Sequence, residues 1–292
     1  MKRAAILGAV LALVGMGFAQ QPTAPAATSG AAQAGTPAPA QPKRPPQAKT
    51  QPEFAAYNAA MAIHDQPAQE KAADDFAAKY ADSELRVLLY KSVMRSYQAA
   101  NDADKMMEMG RKVLAMDPDD PEALLGVAEV LAERTRDTDI DKDQRLDEAM
   151  KLAKHAVETV DTDVAVPAGT PAEKLDAYKG FLRSSAYSII GTLQFNKDQF
   201  ADAEKSFHQS IDAYPAQPDP VVVLRLALAL DKQDKYADAL NFAGQAASLS
   251  PENTPPGNIA RKECDRLAQL TKSPKPASCG SSPAPDSAAP KN

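Results

Sequence analysis

The chain has 292 residues, a formal net charge of −6 and a pI near 5.2. That balance excludes a nucleic-acid platform, which requires a basic face, and no aromatic residues interleave with basic ones as a single-strand stacking surface requires. With 2 cysteines and 3 histidines, the side chains available for metal or nucleophilic chemistry are few.

Residues 1–19 read as a secretory signal peptide. Lys2 and Arg3 give the positive start, residues 4–14 the apolar stretch, and Gly17-Phe18-Ala19 the small residues a signal peptidase inspects. The stretch is shorter than the roughly 20 apolar residues that span a bilayer. Cleavage after Ala19 therefore implies export to the periplasm or the extracellular space with no integral membrane segment, retention as an anchor being the alternative. No cysteine follows the cleavage point, so a lipid anchor is not expected. Residues 20–52 are almost wholly Ala, Pro, Gln, Thr and Gly, and residues 273–292 repeat that composition. Neither segment has the apolar periodicity to offset chain entropy, so both are expected to be disordered. Residues 53–272 remain as one folded domain.

That domain has few glycines and no alternating β-branched runs. Segments rich in Ala, Leu, Glu, Lys and Gln alternate with short Asp, Asn and Pro punctuation, a helical composition. The clearest unit is 186–215. Tyr187, Ile190 and Gly191 share one helix face; after Asn196-Lys197-Asp198 a second helix carries Phe200, Ala203, Phe207 and Ser210, and Pro215 closes it. A step of 36 residues reproduces the pattern as Val223, Leu226 and Ala227, then Tyr236, Ala239, Ala243 and Ala246, then Pro251. Earlier units follow at a period of 34. Tyr90 and Tyr97 recur as Leu124 and Leu131, and Ala60 and Ile63 as Met94 and Tyr97. Gly110 departs from the pattern, standing where a large residue is usual. In the third unit Ala149, Ala153 and Ala156 mark a second helix that arrives late, after an insertion at 135–144. Residues 171–183 extend the first helix of the fourth unit.

This alternation of large and small residues resembles the tetratricopeptide-repeat (TPR) family, in its exported bacterial form. The resemblance implies an all-α, right-handed helical solenoid of about five helix-turn-helix units, flanked by disordered Pro/Ala-rich ends. The units are expected at 53–84, 86–119, 120–161, 184–215 and 220–251. Residues 256–270, with Ala260, Cys264 and Leu267 on one face, supply the capping helix that a solenoid needs over its last apolar surface.

No H-E-x-x-H, C-x-x-C, G-x-S-x-G or glycine-rich phosphate loop occurs, so no enzyme activity and no cofactor are expected. His64, His155 and His208 fall in three different units. Asp137, Asp139, Asp141 and Glu148 have the spacing of a calcium-binding EF-hand loop in part. Lys142 and Gln144 break that pattern, and a solvated acidic loop with Asp residues capping the next helix is the preferred reading, with no metal. Cys264 and Cys279 either form a bridge that pins the tail to the capping helix or leave Cys264 as a small buried hydrophobe.

In the family the first helix of each unit lines a concave groove. The matching positions are Tyr57 and Met61, then Lys91, Arg95 and Gln98, then Leu125 and Glu129. Ser188, Thr192 and Phe195 follow, and finally Leu224 and Leu228. Lys91 and Arg95, one turn apart, suit an acidic group or a peptide carboxylate, although the rest of a carboxylate clamp is not matched. The resemblance implies a non-catalytic interaction module that binds a protein or peptide in this groove. The alternative is a structural component of an envelope assembly or secretion complex.

Overall fold

A computed structural model describes residues 43–166, 169–251 and 253–280. The signal peptide, residues 20–42 and residues 281–292 lie outside the described residues. Eleven α-helices and no strand are found among them: α1 Gln51–Met61, α2 Gln66–Lys79, α3 Leu85–Ala99, α4 Ala103–Met116, α5 Pro121–Arg134, α6 Lys142–Thr159, α7 Ala172–Asn196, α8 Phe200–Ala213, α9 Pro220–Asp231, α10 Tyr236–Leu249 and α11 Pro255–Thr271.

Local chemistry sets these boundaries. The side chains of Asp65, Asp102, Asp120, Asp219 and Thr254 accept hydrogen bonds from first-turn N–H groups of the helices that follow them. Thr50 and Glu53 form a reciprocal capping box at α1. The turn inside three of the helix pairs is built identically. Asn101, Asp198 and Asp234 take left-handed backbone angles, φ of 60°, 57° and 60°, which Asn and Asp tolerate better than other residues with a Cβ. The next N–H then reaches back five residues, Asp102 to the Tyr97 carbonyl, Gln199 to Gln194 and Lys235 to Leu230, at 2.9, 2.9 and 3.0 Å. This is a Schellman-type stop, and it satisfies carbonyls that the helix end would otherwise leave open.

Every helix packs on its sequence neighbours, and α1 on α3, α5 on α7, α7 on α9 and α9 on α11 add contacts between alternate odd-numbered helices. No pair of even-numbered helices packs to a comparable extent. Side-chain ion pairs from Lys91 and Arg95 of α3 to Glu122 of α5 bridge the one odd-helix junction without such packing, so the odd helices form one layer and the even helices another, as in a solenoid whose units touch only their neighbours. The small residues of the repeat sit in the seam between layers: Ala149, Ala153, Ala186, Ala203, Ala227, Ala239, Ala243 and Ala246 are fully buried. Gly191 lies against the Phe207 ring, where an added Cβ would come within 2.7 Å of it. Gly110 plays the same part elsewhere. A Cβ there would meet Val127 at 2.8 Å, so glycine in place of a large residue lets α5 approach closely.

Both ends of the domain differ from the expectation of disorder. Residues 43–50 run along the solenoid before α1 begins. The Lys43 N–H donates to the Thr162 carbonyl at 2.8 Å and its ammonium pairs with Asp117 and Asp163. The Arg44 guanidinium forks onto Glu84, whose carboxylate also accepts the Gln47 N–H. These anchors are isolated polar contacts without periodicity, so composition does not reveal them.

At the other end, Cys264 of α11 is bonded to Cys279, in a short 3-10 turn at Ala277–Cys279 that lies on α10. Both cysteines are buried. Residues 273–280 thus belong to the fold, and Gly244 makes room for them: a Cβ there would stand 2.6 Å from the Ser278 hydroxyl. The bridge spans 15 residues, for which loop-closure entropy gives about 3 kcal/mol. Cys279→Ala should lower the unfolding free energy by about that amount in urea denaturation. Wild-type protein denatured without reductant should show no titratable thiol; two thiols would contradict the bridge.

Candidate functional site

The layer of odd-numbered helices is where the groove positions fall, and its centre is a buried ionic cluster. Asp120 caps α5 through the Ala123 N–H at 2.9 Å, Pro121 opens the helix, and Glu122 follows in its first turn. These residues of a helix start also supply counter-charges to α3. The Lys91 ammonium lies 2.6 Å from Asp120 and 3.2 Å from Glu122. Arg95 holds Glu122 through two guanidinium nitrogens, the Nη2 contact at 2.6 Å. From α7 the Tyr178 hydroxyl donates to the same carboxylate at 3.0 Å. Asp120 and Glu122 are 3% and 6% exposed.

The electrostatics follow from that geometry. Burial alone would raise the Glu122 carboxyl. The charges of Lys91 and Arg95, with hydrogen bonds from Arg95 and Tyr178, overcome that and hold it well below the usual carboxylate range. Burial would lower Lys91 and Arg95, and their carboxylate partners reverse this, so both are raised and stay charged. Burial pushes the Tyr178 phenol up, as does the negative charge of Glu122.

Lys91 and Arg95 therefore do not offer a vacant cradle for a partner's acid. The carboxylates they suit are the protein's own. The sequence marks Asp120-Pro121-Glu122 as a helix start, and nothing local says which cations those acids meet 27 to 31 residues upstream.

The other groove positions divide by burial. Leu125, Ser188 and Leu224 are about as buried as Glu122, and they form the seams between odd helices instead of a ligand surface, because α5, α7 and α9 pack directly on one another. Tyr57 and Met61 of α1, Gln98 of α3 and Glu129 of α5 are half-buried, as are Thr192, Phe195 and Leu228. α1 packs beside α3 in this layer; burial there raises the Tyr57 phenol, and the nearby Arg95 charge opposes it. Between α7 and α9, Arg225 donates to the Thr192 hydroxyl at 2.7 Å.

The remaining candidates are not drawn into a site. Asp137 pairs with Lys142, and Glu148 with Arg111. Asp139 accepts the Arg136 N–H, and the Asp141 side chain makes no cap to α6. Among the described residues no group of three or more His, Cys, Asp or Glu is gathered as a metal would need. His155 bonds Asp119 and Glu158, and His208 meets the Phe242 ring edge-on.

A repeated helix pair, a repeated turn and two layers of alternating helices define the architecture. The chain is a TPR-like helical solenoid. No protein-family model matches it, and no curated protein matches it. Among solved structures, a thermophilic TPR protein of Thermus thermophilus is similar at 13% identity over 75% of this chain and 99% of that one, with a TM-score of 0.42. The assembly chaperone of RpL4, Acl4, is similar at 11% identity over 75% and 97%, with a TM-score of 0.41. At that distance neither carries a residue role or a partner across. No helix among the described residues is long and apolar enough to cross a membrane.

The cluster makes a signed prediction. A carboxyl depressed in the folded state adds stability that is present above its unfolded value, near 4.3 for Glu, and is lost as pH falls through the lower folded value. Glu122→Gln removes the counter-charge of Arg95, whose side chain is 38% exposed, while Lys91 keeps Asp120; it should cost about 1.5–3 kcal/mol at pH 7. The gap from wild type should narrow as pH is lowered below about 4. Denaturant titrations at pH 7, 5 and 3 check this; a gap independent of pH would contradict it.

Proposed function

We propose that this solenoid is a non-catalytic interaction module that acts outside the cytoplasm and holds a protein or peptide partner along its layer of odd-numbered helices. The observation that carries the proposal is that layer itself. It runs through all six odd helices, and its central charges are already neutralised by Asp120 and Glu122. Recognition then falls to the half-buried apolar and amide groups on either side, Tyr57, Met61 and Gln98 at one end and Thr192, Phe195 and Leu228 at the other. A polar-edged apolar strip of this kind suits an extended peptide or a helix.

Two features support export: the pattern of residues 1–19, and a cystine within the fold, which is typical of oxidising compartments. In the alternative role as an assembly component the proline-rich arm and tail would be spacers or docking segments, and residues 43–50 of that arm dock on the protein's own solenoid. The non-catalytic reading is supported by two of the histidines: His155 bonds the surface carboxylates Asp119 and Glu158, and His208 meets the Phe242 ring edge.

Capture from the envelope fraction of the native cell tests the reading. Wild-type protein should enrich a partner at least about tenfold over a Met61→Glu, Gln98→Glu variant, a loss of about 1.4 kcal/mol in binding. Equal enrichment would rule out this face. The purified native protein should begin at Gln20; a cytoplasmic protein that keeps Met1 would rule out export.

A further inference from the structure

The connections between units are short at 80–84, 117–120, 214–219 and 250–254, but the one between α6 and α7 covers 160–171. Loops of that length on a surface are normally polar, since their backbone faces water. This one carries Val164-Ala165-Val166. Val164 is 7% exposed and packs in the apolar cluster of α5, α6 and α7, with Val166 against the same cluster. Together the three residues wall a small cavity whose other sides are Lys91, Arg95, Glu122, Tyr178 and Leu182. A non-helical segment of the chain thus lies against the centre of the odd-helix layer, where a ligand of that layer would lie.

The segment is clasped from outside the unit. The Thr162 carbonyl accepts the Lys43 N–H, Asp163 pairs with the Lys43 ammonium at 3.4 Å, and the Thr162 hydroxyl donates to Asp163 at 2.7 Å. Apart from the turn in which the Thr162 and Asp163 N–H groups donate to the Thr159 carbonyl, the anchors are one backbone hydrogen bond and a partly exposed ion pair, which hold little against water and salt. The apolar contacts of the two valines are what keep the segment in place.

We propose that residues 162–166 are a built-in ligand of the groove, and that a partner binds there through a segment of the same chemistry: an acidic residue followed by two β-branched apolar residues flanking a small one. This rests on the groove-binding reading and specifies its central subsite. A tethered segment competes with a free one at an effective concentration in the millimolar range, so wild-type protein resists a free peptide that an unclasped variant accepts. The Lys43 contacts make that competition sensitive to salt.

The probe is the fluorescent peptide Thr-Asp-Val-Ala-Val, read by anisotropy against three proteins: wild type, Val164→Ser with Val166→Ser, and Asp163→Lys, which repels Lys43 from the tethered segment and leaves it for the probe. The double variant should bind at least about tenfold more tightly than wild type, and Asp163→Lys should bind more tightly than wild type with the groove side chains unchanged. A peptide with Lys in place of Asp and Ser in place of both Val should bind none of them. Thermal melts identify a variant that fails to fold, in which case Asp163→Lys alone decides. Equal binding to all three proteins, binding to none, or equal binding of the control peptide overturns the inference. If partner capture by wild type persists and still depends on Met61 and Gln98, the broader reading stands without this one.

Discussion

Glu122 can meet Lys91, Arg95 and Tyr178 together only when α3, α5 and α7 hold a single alignment. Moving a carboxylate out of water costs several kcal/mol. Two cations and a phenol hydroxyl offset that cost here, each from a helix whose position the repeat has already fixed roughly. Apolar seams lined by alanine tolerate some sliding, whereas a forked guanidinium contact does not. The cluster therefore sets the register of α3, α5 and α7 in the solenoid's middle.

What the sequence reveals depends on how local the signal is. The units at 186–215 and 220–251 are legible because a glycine facing a phenylalanine, or alanines facing alanines, is a packing solution that must recur at each repeat. The Asn or Asp before three of the second helices, α4, α8 and α10, is legible for a related reason: few other residues take the left-handed angle that closes that turn. The cluster is not legible, because Asp120 and Glu122 already have a sufficient local explanation as cap and first-turn acid. The same holds for Lys43 and Arg44, whose partners lie 40 to 120 residues away. Cys264 on an apolar helix face reads equally well as a thiol or half of a cystine, and only the placement of residues 273–280 on α10 decides between them.

The consequence for function is a change of emphasis. Lys91 and Arg95, the most conspicuous groove residues in the sequence, serve the protein's own architecture. On the proposed reading the surfaces left for a partner are mainly apolar, with Gln98 and Thr192 as polar groups, and the central one is occupied by Val164 and its neighbours.

The most direct test of the central claim, that the odd-helix layer is the binding face, is photo-crosslinking in the native cell. A photoreactive residue at Gln98, on that layer, is compared with one at Lys154, exposed on α6 of the opposite layer. The account predicts a discrete adduct from position 98 and none from position 154. An adduct from position 154 alone, or equal adducts from both, would contradict it.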